Sequence, residues 1–195
     1  MKIFLIVTLL AMAVVLVTAG CKTSRGGYES APYQRLLSSG QFEVRDYPAL
    51  TLVETPVTGP QGSAGFGRLF RFITGSNEGG QKIAMTTPVF MGGNDGTATM
   101  AFVMPTELKP DRVPKPVDGS LSVREIQPGR FAVLRFSGGR SANREQAALA
   151  QLKTWMAAEK LSSSSPPVYG YFDPPWTPPF LRRNEVMLRL EARTQ

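Results

Sequence analysis

Apolar residues fall along this chain in three patterns. Residues 3–17 are apolar but for Thr8, behind a single charge, Lys2. From about residue 41 the apolar positions mostly alternate with polar ones, as half-buried strands require. Two stretches break that alternation with helical spacing. In the first, Phe66, Leu69, Phe70 and Ile73 stand at i, i+3, i+4 and i+7, the stripe of a short amphipathic helix over 64–74. Gly75 and Asn77 supply its stop. In the second, Ala148, Leu149, Leu152, Trp155 and Met156 form a stripe within a predicted helix over 142–160, with Ser141 placed to cap it.

The strands bracket these helices. Residues 41–45 and 50–57 flank Asp46-Tyr47-Pro48, which predicts a hairpin. Residues 82–91 and 97–104 form a second pair across a Gly- and Asn-rich turn, and Ala98, Met100, Phe102 and Met104 share one face. Residues 105–119 carry Pro105, Pro110, Pro114 and Pro116 and read as a connector. The pattern then begins again: 121–126 and 131–136 around Gln127-Pro128-Gly129 predict a hairpin, the second helix follows, and 168–172 and 185–190 end the series. Glu43-Val44-Arg45-Asp46 is echoed by Ser122-Val123-Arg124-Glu125. The order strand–strand–helix–strand–strand therefore occurs twice, in halves of about 41–105 and 120–191, as expected of a duplicated half-domain rather than a solenoid. The predicted class is α+β: a distorted antiparallel β-barrel of about eight strands with two helices packed outside and a pseudo-two-fold relating the halves.

The apolar run at the start is a different object. It is too short for a comfortable membrane span, which needs roughly 20 residues, and Val17-Thr18-Ala19-Gly20-Cys21 follows it. A basic start, an apolar stretch and small residues are the marks of a secretory signal, and the five-residue site resembles the lipobox of bacterial lipoproteins. That resemblance implies cleavage after residue 20 and lipidation of Cys21. The reading assigns 1–20 to a signal peptide, 21–32 to a lipidated N-terminus and polar tether, and 33–191 to one domain. It implies a protein held by its lipid in the cell envelope and facing the periplasm or exterior. Lys22-Thr23 lacks an acidic retention residue, which favours an outer membrane where the host has one. Cys21 is the single cysteine, so intramolecular disulfides and cysteine metal sites are excluded.

The formal charge is +7, and loss of Lys2 lowers it by one. The basic residues are dispersed, with no stripe interleaved with aromatics, so no nucleic-acid partner is expected. The chain has no histidine, which excludes Ser–His and Cys–His catalysis and histidine metal sites. Carboxylate pairs such as Glu54 with Glu185 remain open, although no spacing singles them out. Gly65-Phe66-Gly67 lacks the rest of a dinucleotide fingerprint.

The run Phe70-Arg71-Phe72-Ile73-Thr74-Gly75-Ser76-Asn77, followed by Lys82-Ile83-Ala84-Met85-Thr86-Thr87-Pro88-Val89, resembles the SOUL family of haem-binding proteins. Tyr47 after Val44-Arg45, Phe102 and Met104-Pro105, and Asn184-Glu185-Val186 match in the same order, so the resemblance covers about 33–191. It implies a distorted barrel of two duplicated halves, similar also to the effector-binding domains of some bacterial regulators. It further implies a haem or other porphyrin held in an apolar cleft beside the first helix, at Phe66, Phe70 and Arg71. Aromatic faces stack on a macrocycle, and an arginine pairs with a propionate; equally, the two rings stand at core spacing. Without histidine the iron has only Met and Tyr to turn to, among them Met85, Met100, Met104, Tyr169 and Tyr171. The leading expectation is thus a non-enzymatic envelope lipoprotein that binds a tetrapyrrole or similar planar hydrophobic anion without histidine ligation. The alternatives are an interaction lipoprotein that keeps the fold without a ligand, and a hydrolase or isomerase of a hydrophobic small molecule.

Overall fold

A computed structural model of the chain describes residues 27–57, 63–93 and 98–191. The signal segment and Cys21 lie outside the described residues. In chain order the elements are β1 Glu29–Ser30, β2 Gln34–Ser39, β3 Phe42–Tyr47, β4 Leu50–Pro56, α1 Ser63–Ile73, β5 Thr86–Thr87, β6 Val89–Gly92, β7 Thr99–Val103, β8 Ser122–Ile126, β9 Gly129–Phe136, α2 Ala142–Ala158, β10 Val168–Tyr171 and β11 Asn184–Arg189. Short 3₁₀ turns at Pro110–Arg112 and Pro179–Leu181 sit in the two proline-rich connectors.

Nine strands form one sheet in the order β2-β3-β9-β11-β10-β6-β7-β4-β8, every neighbouring pair antiparallel. It curls into a half-barrel that ends on β2 and β8. The class is the α+β duplication expected from the pattern, with one strand more than the eight counted there. The extra strand, β2, is exposed at every position, so it carries no apolar alternation to betray it. Within the polar segment assigned to the tether, Glu29–Ser30 pairs in parallel with Thr86–Thr87 and Ala31 is buried.

The pseudo-two-fold is visible in the strand order, which reads the same from both ends when β3, β4, β6 and β7 are matched with β8, β9, β10 and β11. Neither predicted hairpin forms. β3 pairs with β9 and β8 pairs with β4, so each half lends its first strand to the other. Asp46-Tyr47-Pro48 and Gln127-Pro128-Gly129 are crossings between distant strands rather than tight turns. The predicted pair of β6 with β7 forms, and β10 pairs with β11 across the proline-rich loop.

Alternation along the strands sends side chains to two faces. On one face α1 covers Val53, Met100 and Phe102 with Leu69, Phe72 and Ile73. On the same face of the other half, α2 covers Ala132, Leu134, Val186 and Leu188 with Ala148, Leu152 and Met156. The concave face carries a third cluster, including Leu50, Leu52, Phe90, Ala101, Val103, Val133 and Met187, with no helix over it. β7 is therefore buried on both sides: Met100 and Phe102 face α1, and Ala101 and Val103 face the concave side.

The helix ends follow their local chemistry. The Ser141 hydroxyl accepts from the Arg144 amide and caps α2. At the end of α1, Gly75 takes the left-handed conformation at φ 116°, where a Cβ is disfavoured. The buried Asn77 side chain then donates to Phe72 O and Gln81 O and accepts from the Gln81 amide. This is the physical content of the Gly-x-Asn run: one residue turns the chain and the other ties the helix end at Phe72 O to the Gln81 backbone beyond it.

Candidate functional site

The concave face holds a cavity of about 500 Å³, within the usual range for small-molecule sites, roughly 300–1,000 Å³. It sits where the two halves meet and draws from both. Leu50, Leu52 and Ala101 come from the first half, Ile126, Phe131 and Met187 from the second, and Phe90 and Val168 from the central strands β6 and β10. These are the inward residues of strands whose outward neighbours pack under the helices. The walls are apolar, and the charged groups are few: Glu54, Arg124 and Arg189.

All three are partnered. Arg124 donates from Nε (3.2 Å) and Nη2 (2.9 Å) to Glu54 Oε2. Arg189 donates from Nη2 to Gln127 O and Pro128 O, each at 2.6 Å, and lies over the Phe131 ring. Gly129 makes that placement feasible, since a Cβ there would stand 2.3 Å from Arg189 Nη2. The lining carries two guanidinium groups against one carboxylate, so its charge is net positive.

Behind one wall lies a buried ionic network. Arg45 Nε donates to Glu43 Oε2 (2.6 Å), Nη1 to Glu185 Oε2 (2.7 Å) and Tyr47 Oη (3.0 Å), and Nη2 to Glu185 Oε1 (2.9 Å). Arg183 adds two bonds to Glu185 Oε1, at 2.9 and 2.6 Å. Burial alone would raise the Glu185 carboxyl; the bonds and charges of Arg45 and Arg183 overcome that and hold it below its ordinary value. Burial pushes the Tyr47 hydroxyl well above its ordinary value, so this cavity-lining phenol stays protonated. It donates to Met187 Sδ at 3.8 Å. No buried side-chain nitrogen or oxygen among the described residues lacks a partner. Arg45 is the counterpart of Arg124 in the sequence echo. One has become the centre of a sealed network, the other an exposed member of a cavity-lining pair.

The residues nominated from sequence are elsewhere. Phe66 and Phe70 lie on α1, on the opposite side of the sheet, and are 41% and 46% exposed. They are not core. The buried side of α1 is Gly65, Leu69, Phe72 and Ile73, one position round from the apolar stripe of the sequence. The two rings stack on each other at 6.0 Å between centroids and 13° between planes, and Phe66 meets Phe102 edge-on at 5.3 Å. Arg71 is exposed beside them. It is among the cations that, after the bonds from Ser120, hold the Asp118 carboxyl below its ordinary value. Phe66 and Phe70 thus stack on an open part of α1, with Arg71 exposed on the same helix, and no residue of the cavity is among them.

The methionine and tyrosine candidates for iron divide in the same way. Met100 and Met104 are buried under α1, Met85 packs against the same cluster, and Tyr169 and Tyr171 turn to Glu145 on α2. Sequence reasoning missed the potential ligands that do line the cavity, Tyr47 and Met187. The first reads as part of a turn and the second as part of a strand, and nothing local tells a packed interior from a hollow one. Glu54 and Glu185 do not form a carboxylate pair: the first lines the cavity and the second is sealed behind arginines. Among the described residues no group of three His, Cys, Asp or Glu side chains could hold a metal ion.

A flat apolar macrocycle matches the lining in character, and its acidic substituents match the net positive charge. Iron finds poorer provision, since Tyr47 is protonated and engaged and Met187 is the one thioether in the cavity wall.

Comparison with solved structures places the same architecture in other proteins. The EcmrR C-terminal domain superposes with a TM-score of 0.58 at 13% identity, covering 82% of this chain and 98% of that one. An uncharacterized conserved protein from Listeria innocua gives 0.58 at 12% identity, covering 77% and 92%. A hydrolase from Listeria innocua gives 0.55 at 12% identity, covering 80% and 94%. At these identities the likeness is one of fold. No curated protein matches the chain significantly in sequence. The model of the SOUL heme-binding protein family matches residues 28–189, which takes in both halves, the cavity and the open face of α1. With the duplicated strand–strand–helix–strand–strand order and the Gly-x-Asn helix stop already in place, that match assigns the family: this chain belongs to the SOUL heme-binding proteins.

Proposed function

We propose that this protein is a non-enzymatic binding lipoprotein of the cell envelope that holds a tetrapyrrole or a similar planar hydrophobic anion in its concave cavity. The observation that carries this reading is the 500 Å³ apolar chamber at the junction of the halves, with more positive than negative charge in its lining. Burial of apolar ligand surface contributes about 25 cal/mol per Å², less the cost of association. A carboxylate of the ligand pairs with Arg124, which is half-exposed and swings from Glu54 at little cost. The iron is not needed for this mode, so iron-free protoporphyrin binds about as well as haemin. Membrane attachment comes from acylation of Cys21 after loss of residues 1–20, with the domain outside the cytoplasm. Among the described residues no helix is long and apolar enough to cross a membrane.

A second location for the ligand is the open face of α1. It is favoured by the exposed, near-parallel stack of Phe66 on Phe70 with Arg71 beside it.

Titration of the purified protein with haemin and protoporphyrin, followed by Soret shift and fluorescence quenching, tests both. Ala101→Leu and Thr99→Trp fill the cavity from its floor and rim and should abolish binding, while Phe70→Ala and Arg71→Ala leave it intact. The reverse result moves the ligand to α1. No spectral change with wild-type protein at micromolar porphyrin removes tetrapyrrole from the proposal and promotes the interaction-lipoprotein alternative.

A further inference from the structure

The loop between β10 and β11, residues 173–183, exposes the largest apolar side chains of the described surface. Trp176 is 80% exposed, Phe180 75% and Leu181 56%. Single exposed apolar residues are ordinary, but three on one loop tip mark an interaction site. The loop is not a slack one. Pro174, Pro175, Pro178 and Pro179 stiffen it. Thr177 N donates to Pro174 O and Leu181 N to Pro178 O. The Arg182 guanidinium bonds Thr177 O at 2.7 Å and also Pro175 O. Gly138 N donates to Pro179 O at 3.0 Å and fastens the loop to the start of α2. A braced loop that holds a tryptophan and a phenylalanine outward has its ordering cost already met before it meets a partner.

The surroundings indicate which partner. Arg182 ends the loop, and the segment fastened to its root through Gly138 leads into Arg140 and Arg144. An apolar tip with arginines near its root suits the interface of an anionic bilayer, where aromatic rings settle at headgroup depth and cations meet lipid phosphates. The net charge of +7 acts in the same direction.

We propose that residues 174–182 form a membrane-contact loop that seats Trp176 and Phe180 in the interface of a bilayer rich in anionic phospholipid. The contact stands whether or not Cys21 is acylated and whether or not the cavity binds porphyrin. It fixes the orientation of the domain on the membrane rather than its attachment.

The chain has two tryptophans, and Trp155 is half-buried against Phe42. The full-length Trp155→Phe protein, reconstituted in vesicles, thus reports on Trp176 alone; if that variant fails to fold, the difference between wild type and Trp176→Phe gives the same signal. Bromine-labelled phosphatidylglycerol vesicles should shift the Trp176 emission to the blue and quench it about twofold, as for an interfacial ring. About 0.5 M salt, or Arg140→Gln with Arg144→Gln, should relieve most of the quenching. Unchanged emission in the vesicles overturns the proposal. Equal quenching in phosphatidylcholine overturns the anionic preference it states. A blue shift that grows with protein concentration in the absence of lipid assigns the loop to a second copy of the chain and overturns it as well.

Discussion

Arg45 and Arg124 occupy equivalent places in the two halves, yet their loss should have very different consequences. Arg45 has no exposed side-chain surface and holds Glu43 and Glu185, both equally buried. Arg45→Ala leaves two carboxylates in the interior without their shared cation. Breaking a buried pair from one side costs about 3–5 kcal/mol. Arg183 still reaches Glu185 and Arg135 still reaches Glu43, at 2.6 and 3.1 Å, so the lower end, about 3 kcal/mol, applies. For a domain of this size that lowers Tm by roughly 6–12 °C. Arg124 is 55% exposed and its partner Glu54 17%; Arg124→Ala should cost about 1 kcal/mol or less. Urea unfolding and calorimetry of the two variants give the comparison directly. Arg45→Met, which restores volume without charge, should be as damaging as Arg45→Ala, because the loss is electrostatic. The pH dependence supplies the sign. Glu185 is held below its ordinary value of 4.5, so its contribution is fully present above that pH and is lost as pH falls through the lower folded value. Wild type therefore loses stability on acidification that Arg45→Ala has already lost, and the gap between them narrows. Costs for Arg45→Ala and Arg124→Ala within about 1 kcal/mol of each other at neutral pH would refute the assignment of the network as sealed and Arg124 as solvent-screened.

Phe72→Ala should cost about 3–5 kcal/mol, because the ring is fully buried under α1, whereas Phe70→Ala, nearly half exposed, should stay under about 1 kcal/mol; thermal unfolding separates them. Asn77→Ala removes the side-chain bonds to Phe72 O and to the Gln81 backbone and should cost about 2 kcal/mol, with hydrogen-exchange protection lost first at the end of α1. Cys21→Ala should abolish membrane retention, and intact mass of the membrane-extracted wild type should show residues 1–20 removed and Cys21 acylated; an unmodified thiol on the mature chain ends the lipoprotein reading.

Local pattern carried the element types a long way. Period 2 in Ala98, Met100, Phe102 and Met104 marked β7, and the echo of Glu43-Val44-Arg45-Asp46 in Ser122-Val123-Arg124-Glu125 marked the duplication, because burial on a regular element imposes its period on the residues themselves. The Gly75 and Asn77 stop was legible for the same reason: its chemistry is complete within a few residues. Pairing partners were not. A strand's alternation says which side chains share a face and is silent about which strand lies beside it, so β3 with β4 looked like a hairpin while the fold joins β3 to β9 and β4 to β8. β2 left no signal, since an edge strand exposed on both faces has nothing to alternate. The side of α1 that packs inward was missed by one position, because Phe66 and Phe70 extend the apolar stripe past what Val53 and Met100 can cover. The cavity depended on tertiary structure entirely. Leu52, Ala101, Phe131 and Met187 lie in segments whose pattern predicts strands, and whether their side chains meet or stop short of one another depends on the curl of the sheet and the distance between its halves, which no local sequence records.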